Sequence, residues 1–275
     1  FHYDYGRSMK FKIENLPHFY FCGQKCIENF ERWDKSHVYR NNVVNIENWY
    51  TKVQKKSRPE PKTDIVISPE VFHQEKERTI YWEAKLPKKA TKLLNELPSI
   101  DENELMELKY VLGILYEKYL NAECQQVNLT VFEELQDDTL LKLTKYPYLL
   151  DSYKRVYQFL RIVVLDELLP FLSVEMFWDS IGKNLSNAFG IWTLDEGEKE
   201  FLGYSLYPTA SFFNHSCASN LDRKRVGQAV TFFTKRDVKI GEELCISYGN
   251  SEEEDTLVRQ KELSEWNFIC QCTKC

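Results

Sequence analysis

The chain has 275 residues, of which 43% are hydrophobic and 14% aromatic, and its formal net charge is −6 with a pI near 5.6. This composition excludes an intrinsically disordered chain, because the apolar residues supply enough area to offset the entropy lost on folding. The acidic balance disfavours direct binding to nucleic acid, which needs clustered Lys and Arg, and it fits a basic partner instead. The length allows two modest domains, or one large body with a small appendage.

The sequence shows neither a membrane span nor a secretory signal. Its apolar runs stay below the ~20 residues that a helix needs to cross a bilayer, and no charged-then-apolar segment begins the chain. We therefore expect a soluble intracellular protein of the cytoplasm or nucleus with no membrane partner. The first residue is Phe1 rather than Met, so we also expect that the chain begins inside a longer protein.

The first 50 residues are aromatic and polar without a sustained hydrophobic period. Their centre, Phe19 to His37 (FYFCGQKCIENFERWDKSH), is typical of a small metal-dependent module. The next segment, Lys52 to Lys62, is basic and contains proline, which cannot continue a helix. It therefore predicts a linker or a surface loop.

The pattern becomes helical from Ser99. Ser99 and Glu102 have the spacing of a capping box, which marks a helix start. Apolar residues follow at helical spacing: Leu105, Leu108, Val111, Leu112, Leu115 and Tyr119. Further helices are predicted over residues 129–143, 151–169 and 173–189. After Gly190, short segments rich in aromatic and β-branched residues are broken by glycines and predict short strands.

The last six residues, CQCTKC, place Cys270, Cys272 and Cys275 close together. Clustered cysteines of a reducing compartment bind metal more often than they form disulfides. Three thiolates are one short of a closed tetrahedral zinc site, and Cys217 in SFFNHSCASN is the leading candidate for the fourth ligand. The alternative is a set of disordered terminal thiols, or one disulfide with a spare cysteine.

Three motifs in order carry a resemblance to a known family. LYPTASFFNHSCASN (206–220), GEELCISYG (241–249) and WNFICQCTKC (266–275) resemble the C-terminal half of the SET domain and its post-SET zinc segment. They are most similar to the SET and MYND class of protein lysine methyltransferases, including its fungal members. The resemblance covers about Asn187 to Cys275 and extends loosely over the helical middle.

The resemblance implies an α+β fold, in which a β-rich SET domain carries a helical insertion. The implied segments are a MYND-like zinc-finger remnant (1–50), a linker and start of the insertion (51–98), the helical SET insertion (99–189), the C-terminal SET core (190–249) and the post-SET zinc segment (250–275). It further implies transfer of a methyl group from S-adenosylmethionine to the ε-amine of a lysine in a protein substrate, histone or non-histone. Zinc is the second implied cofactor.

The resemblance also implies roles for individual residues. Tyr248 matches the catalytic tyrosine, and Phe189 and Trp266 match walls of the lysine channel. The implied positions for binding S-adenosylmethionine are Asn187, Ser211, Asn214, His215, Tyr248 and Phe268. The implied zinc ligands are Cys217, Cys270, Cys272 and Cys275.

The N-terminal part departs from the family in two ways. Cys22, Cys26 and His37 match ligand types of a MYND finger, but three ligands do not close a zinc site. The finger has therefore either degenerated or begins upstream of Phe1. A Gly-x-Gly segment that wraps the cofactor in the family is also absent from Phe1 to Tyr20, so we expect an N-terminal truncation.

The sequence leaves two hypotheses for the function, an enzyme and a binding module. The intact Tyr248 and NHSC motif favour a methyltransferase. The missing Gly-x-Gly segment and finger ligands favour a SET-like module that binds partners without turnover. A zinc-stabilised DNA-binding protein is a third hypothesis, and the net charge of −6 argues against it.

Overall fold

The structure is a computed structural model that describes residues 11–13, 16, 19–21, 23–54, 65–87, 90–124, 129–192, 201–226, 229–249, 253 and 255–275. The chain divides into two compact units, one covering Met9–Leu185 and the other containing Ser186–Cys275. Most of the helices precede the strands along the chain. The predicted mixture of helix and sheet is therefore confirmed.

Helices dominate the first unit. In chain order they are α1 (Gln24–Trp33), α2 (Val38–Val53), α3 (Pro69–Ala84), α4 (Ala90–Leu93), α5 (Glu102–Cys124), α6 (Thr130–Glu133), α7 (Thr139–Lys145), α8 (Tyr148–Val163) and α9 (Val174–Asn187). Helix α5 packs against both α2 and α8, and its Leu108, Leu112 and Leu115 are fully buried. The apolar stripe predicted for this helix therefore lies in the core. Among the described helices, none has the length and apolar character needed to cross a bilayer.

Helix α5 begins with a capping box, although at other residues than predicted. The backbone N–H of Asp101 donates to Glu104 Oε2 at 2.9 Å, and the N–H of Glu104 donates to Asp101 Oδ1 at 2.8 Å. The box is therefore formed by Asp101 and Glu104, and the assignment to Ser99 and Glu102 was wrong. The carboxylate of Glu104 is only 3% exposed, and Arg155 compensates its charge by donating from Nη2 at 2.6 Å.

Within the first unit, helices α1, α2, α3 and α4 lie where the sequence predicted none. Helices α1 and α2 occupy the segment that the sequence predicted to be aperiodic, and α2 extends to Val53, two residues into the predicted linker. Most of that linker, residues 55–62, lies outside the described residues. Helix α3 follows it and has a recognisable start, because Ser68 Oγ accepts from the N–H of Val71 at 3.3 Å and Pro69 occupies the first turn.

Three of the predicted helices differ in extent from those observed. The helix predicted over residues 129–143 is divided into α6 and α7, with a turn between them. The helix predicted over 151–169 begins earlier, as α8, and ends at Val163. The last one, predicted over 173–189, ends at Asn187, where the chain enters a strand that contains Phe189.

A buried ion pair joins the end of α1 to the start of α2. Asp34 is fully buried, and its carboxylate accepts from the backbone N–H groups of Tyr39 at 3.0 Å and Arg40 at 3.1 Å. It also accepts from Arg40 Nε at 2.7 Å, while the two Nη atoms of Arg40 donate to Glu31, both at 2.9 Å. The carboxylate of Asp34 thus fixes the turn between the two helices.

Replacing Asp34 by Ala is expected to lower the free energy of unfolding of the helical unit by about 3–5 kcal/mol, because Arg40 Nε and two backbone donors stay buried without their acceptor. Urea denaturation followed by far-UV circular dichroism measures this change. The matched control is Asp166→Ala, at an exposed position, which should change stability by no more than about 0.5 kcal/mol. Equal stability of the two variants would show that the Asp34 contacts add nothing.

The described part of the second unit contains short strands and one further α-helix. Strands β1 (Ala188–Trp192) and β2 (Phe201–Leu206) are antiparallel, as are β4 (Leu221–Val226) and β5 (Ala229–Thr234). Strand β3 (Asn214–His215) pairs in parallel with β6 (Cys245–Ile246). Helix α10 (Thr256–Leu263) follows. Short strands were predicted for this part of the chain, and that prediction is confirmed.

Candidate active site and metal centre

The pairing of β3 with β6 brings two of the sequence motifs together. Asn214 lies opposite Cys245 and His215 lies opposite Ile246 in a parallel register. Tyr248 follows β6 by two residues and therefore comes next to His215. A pairing of only two residues on each strand is short, so other contacts have to support it.

Asn220 supplies that support, although no role was predicted for it from the sequence. Its side chain is almost fully buried. The amide oxygen accepts from the N–H of Cys245 at 2.9 Å, and the amide nitrogen donates to the carbonyl of Glu243 at 2.8 Å and to Glu242 Oε1 at 3.1 Å. Asn220 thus joins the end of the NHSC motif to the strand that precedes Tyr248. Its place as the last residue of SFFNHSCASN was the available signal.

Two hydrogen bonds fix Tyr248. Its hydroxyl donates to the carbonyl oxygen of Phe213 at 2.7 Å, and its backbone N–H donates to His215 Nδ1 at 3.0 Å. Burial raises the pKa of Tyr248, and the nearby Cys245 and Glu243 act in the same direction. The phenol therefore stays protonated at neutral pH, and its lone pairs can accept a hydrogen bond.

His215 connects Tyr248 to Cys217. Because Nδ1 accepts from Tyr248, the neutral imidazole carries its proton on Nε2, which lies 3.2 Å from Cys217 Sγ. Burial lowers the pKa of His215, which favours this neutral form. The imidazole therefore donates to the sulfur of Cys217 while it holds the backbone of Tyr248.

Aromatic rings surround Tyr248. The ring centroid of Trp266 lies 5.8 Å from that of Tyr248, and the ring of Phe268 lies 6.2 Å from Tyr248 and 5.7 Å from His215. The structure therefore brings together three residues of the predicted cofactor set, namely His215, Tyr248 and Phe268, with the predicted channel residue Trp266.

Phe189 lies in a second aromatic group. Its ring packs against Tyr207 at 5.6 Å and Phe232 at 6.3 Å, and Phe232 in turn packs against Phe213 at 5.2 Å. The guanidinium of Arg223 lies over the ring of Phe189, 5.4 Å from its centroid. One face of Phe189, a predicted wall of the lysine channel, is thus in contact with the Arg223 cation.

The three remaining predicted cofactor residues have polar partners within the chain. Ser211 Oγ donates to the carbonyl of Asn187 at 3.1 Å, so these two residues lie together. The amide nitrogen of Asn214 donates to Glu243 Oε1 at 2.6 Å. The amide oxygen and the backbone of Asn214 are therefore the groups with which it could contact a cofactor.

Four cysteines form a compact cluster. The Sγ atoms of Cys217, Cys270, Cys272 and Cys275 all lie within 4.8 Å of one another. Cys217 Sγ is 3.9 Å from Cys270 Sγ and 3.5 Å from Cys275 Sγ. A tetrahedral zinc ion with Zn–S bonds of about 2.3 Å holds its sulfurs about 3.8 Å apart. The donor set and its spacing therefore fit zinc.

The thiols of this cluster have to lose protons before they can bind a metal ion. Burial raises the pKa of the Cys217 thiol to about 12, and hydrogen bonds with Cys275 and Cys270 add to the effect. Binding of a divalent metal would thus displace protons. Within the described part of the chain, the four cysteines are the one group of three or more His, Cys, Asp or Glu side chains that could hold a metal ion.

The N-terminal metal prediction is not tested by this geometry. Cys22 lies outside the described residues. Cys26 packs against the helical core, and His37 is exposed immediately before α2, with a left-handed φ of 63°. A zinc site at Cys22, Cys26 and His37 therefore stays a prediction.

Comparison with known proteins places this geometry in a family. The sequence model of the SET domain matches residues 51–249, which is most of the chain. The chain belongs to the SET domain family, and the resemblance to SET proteins is confirmed.

Three relatives show what the chain is similar to. A potential protein lysine methyltransferase of Saccharomyces cerevisiae, SET6, is 35% identical over 193 residues, which cover 68% of this chain and 51% of that protein. The histone-lysine N-methyltransferase SET5 of Yarrowia lipolytica is 42% identical over 73 residues, 26% of this chain and 17% of that protein. Human SMYD3, a histone-lysine N-methyltransferase, is 33% identical over 103 residues, 36% of this chain and 22% of that protein. The chain thus spans about half the length of SET6 and smaller shares of SET5 and SMYD3.

Proposed function

We propose that this chain transfers a methyl group from S-adenosylmethionine to the ε-amine of a lysine side chain in a protein substrate. The observation that carries the proposal is the placement of Tyr248, whose hydroxyl donates to Phe213 and whose backbone is held by His215 of the NHSC motif. Relatives named as lysine methyltransferases support the same reaction.

The residues that would hold S-adenosylmethionine offer both an aromatic surface and polar groups, which match its adenine and its polar atoms. The ring of Phe268, beside His215, offers an aromatic surface for the adenine. The amide oxygen of Asn214 and the backbone of β3 offer polar contacts. When bound, S-adenosylmethionine supplies a methyl group on a positively charged sulfur.

Tyr248 would orient the substrate amine. Methyl transfer forms an N–C bond while the S–C bond breaks and the sulfur takes the electron pair, so alignment of the two reacting atoms governs the rate. The phenol proton of Tyr248 is donated to Phe213. The oxygen lone pairs can therefore accept a hydrogen bond from an N–H of the lysine. That bond would direct the lone pair of the lysine nitrogen at the methyl group.

The lysine has to be neutral before it can attack. Its pKa is about 10.4 in water, and transfer into a desolvated channel beside a cation lowers the pKa of an amine. The rings of Trp266 and Tyr248, 5.8 Å apart, would exclude water from the aliphatic part of the lysine. Their π faces would also attract the methylated ammonium product.

We also propose that Cys217, Cys270, Cys272 and Cys275 bind one structural zinc ion, forming the post-SET segment. Four protein thiolates leave no open coordination position, so the metal would stabilise the C-terminal segment rather than activate water. The MYND-like finger at Cys22, Cys26 and His37 stays a prediction. Elemental analysis distinguishes the two sites, since the C-terminal cluster alone gives about one zinc per chain and an occupied finger gives more.

The substrate class follows from charge and from the reaction. We propose a protein with an accessible lysine in a basic segment, histone or non-histone, because the chain carries a net charge of −6. The thiols of Cys217, Cys245, Cys270, Cys272 and Cys275 are not joined in disulfides, which fits a reducing compartment, the cytoplasm or the nucleus.

The experiment has two parts on this chain. Isothermal titration calorimetry measures binding of S-adenosylmethionine, and transfer of labelled methyl is measured on core histones and on lysine-rich peptides. Peptides with every Lys replaced by Arg are the matched control. Binding together with label that depends on lysine is the expected result. Failure to bind the donor would contradict the proposal and favour the non-catalytic binding module.

A further inference from the structure

Arg259 of α10 is a buried cation at the edge of the cysteine cluster. It is only 2% exposed. Its Nη1 donates to the carbonyl of Glu253 at 2.7 Å, and its Nη2 donates to the carbonyl of Lys274 at 2.7 Å and to Thr256 Oγ1 at 2.9 Å. The guanidinium therefore joins the segment before α10 to the last residues of the chain.

The same guanidinium approaches the sulfur ligands. Arg259 Nη2 lies 3.9 Å from Cys275 Sγ, which is itself 3.5 Å from Cys217 Sγ. Four thiolates on one divalent cation leave an excess of negative charge. Negative charge that is taken out of water needs a compensating positive charge or hydrogen bonds. Arg259 is placed to supply both.

We propose that Arg259 is a positioning residue of the metal centre. Its charge would offset the excess negative charge of four metal-bound sulfurs, and its bond to the Lys274 carbonyl holds Cys275 within reach of the other three sulfurs. Such a residue next to a metal ligand commonly changes metal affinity by about 10–100-fold. The inference rests on the proposed zinc site, which is tested separately by metal binding to the unchanged chain.

The test compares three variants. Arg259→Gln removes the charge but keeps polar atoms, Arg259→Lys keeps the charge but loses the planar fork, and Lys261→Gln is the matched control, an exposed cation of the same helix. Zinc affinity is measured by competition with a chromogenic chelator. We expect Arg259→Gln to weaken zinc binding by about tenfold or more. The zinc affinity of Arg259→Lys should lie between that of Arg259→Gln and that of the unchanged chain. Lys261→Gln should bind zinc as tightly as the unchanged chain does.

Cobalt(II) provides a readout that loss of folding does not mimic. A tetrahedral thiolate site gives cobalt charge-transfer bands from sulfur to metal, and a nearby cation lowers the energy of the sulfur electrons. Arg259→Gln should therefore move these bands to longer wavelength, whereas Arg259→Lys should keep their position. Bands that stay in place in Arg259→Gln would overturn the charge role, and equal zinc affinity would overturn the positioning role. No metal binding by the unchanged chain would instead refute the zinc site.

Discussion

Replacing Tyr248 by Phe is expected to lower the rate of methyl transfer by about 100-fold or more, the size of effect seen when one positioned hydrogen-bonding group is removed from an active site. The variant loses only the hydroxyl that Phe213 fixes at 2.7 Å. The backbone N–H of Tyr248 still donates to His215, so binding of S-adenosylmethionine and the zinc content should be unchanged. Single-turnover kinetics, calorimetry and elemental analysis measure the three quantities.

Tyr204→Phe in β2 is the matched control, because it makes the same chemical change in the same unit. Its rate should stay close to that of the unchanged chain. If Tyr248→Phe keeps half of the activity or more, the hydroxyl does not orient the amine. If it loses S-adenosylmethionine binding instead, Tyr248 has a structural role and the proposed mechanism is wrong.

The proposed site depends on a few contacts that connect its parts in series. His215 lies between the backbone of Tyr248 and the sulfur of Cys217. Cys217 belongs to the cluster that contains the last residues of the chain. We therefore expect a change in the proposed metal centre to reach Tyr248 through one imidazole, which gives a physical reason for a structural zinc ion beside the proposed catalytic residue.

Much of the candidate site was predictable because its side chains have unusual chemistry. Cysteines at the spacing of CQCTKC have few roles besides metal binding, and one additional thiolate had to come from elsewhere. The structure places Cys217 with them. The buried apolar face of α5 was also predictable from the sequence, because a long amphipathic helix repeats its apolar residues with a clear period.

Other features depend on tertiary contacts that no local pattern reveals. The carbonyl of Phe213 is a backbone group, and its bond to Tyr248 spans 35 residues. Asn220 and Arg259 are ordinary polar residues until folding buries them. Helix α2 escaped prediction because buried polar residues such as Arg40 and Asn42 interrupt its apolar period. Helix α3 was missed although Ser68 and Pro69 form a recognisable start.

Replacing Cys217 by Ser is expected to release the zinc ion of the C-terminal cluster, because a serine hydroxyl is a poor substitute for a thiolate ligand. The bound zinc should fall from about one per chain to nearly none after dialysis against a chelator. Cys217 is also the residue that joins the terminal cysteines to β3, so backbone amides of residues 256–275 should exchange hydrogen faster. Elemental analysis and hydrogen exchange with mass spectrometry measure both effects.

Cys245→Ser is the matched control. Cys245 is half-buried and lies in β6, and it is not part of the cluster. The zinc content and the hydrogen-exchange rates of the Cys245→Ser variant should therefore equal those of the unchanged chain. Unchanged zinc in Cys217→Ser would refute the link between the NHSC motif and the terminal cysteines. Because His215 donates to Cys217, the variant should also release the imidazole that holds Tyr248, and methyl transfer should fall together with the zinc content. Loss of zinc without loss of activity would show that Tyr248 keeps its place without the metal centre.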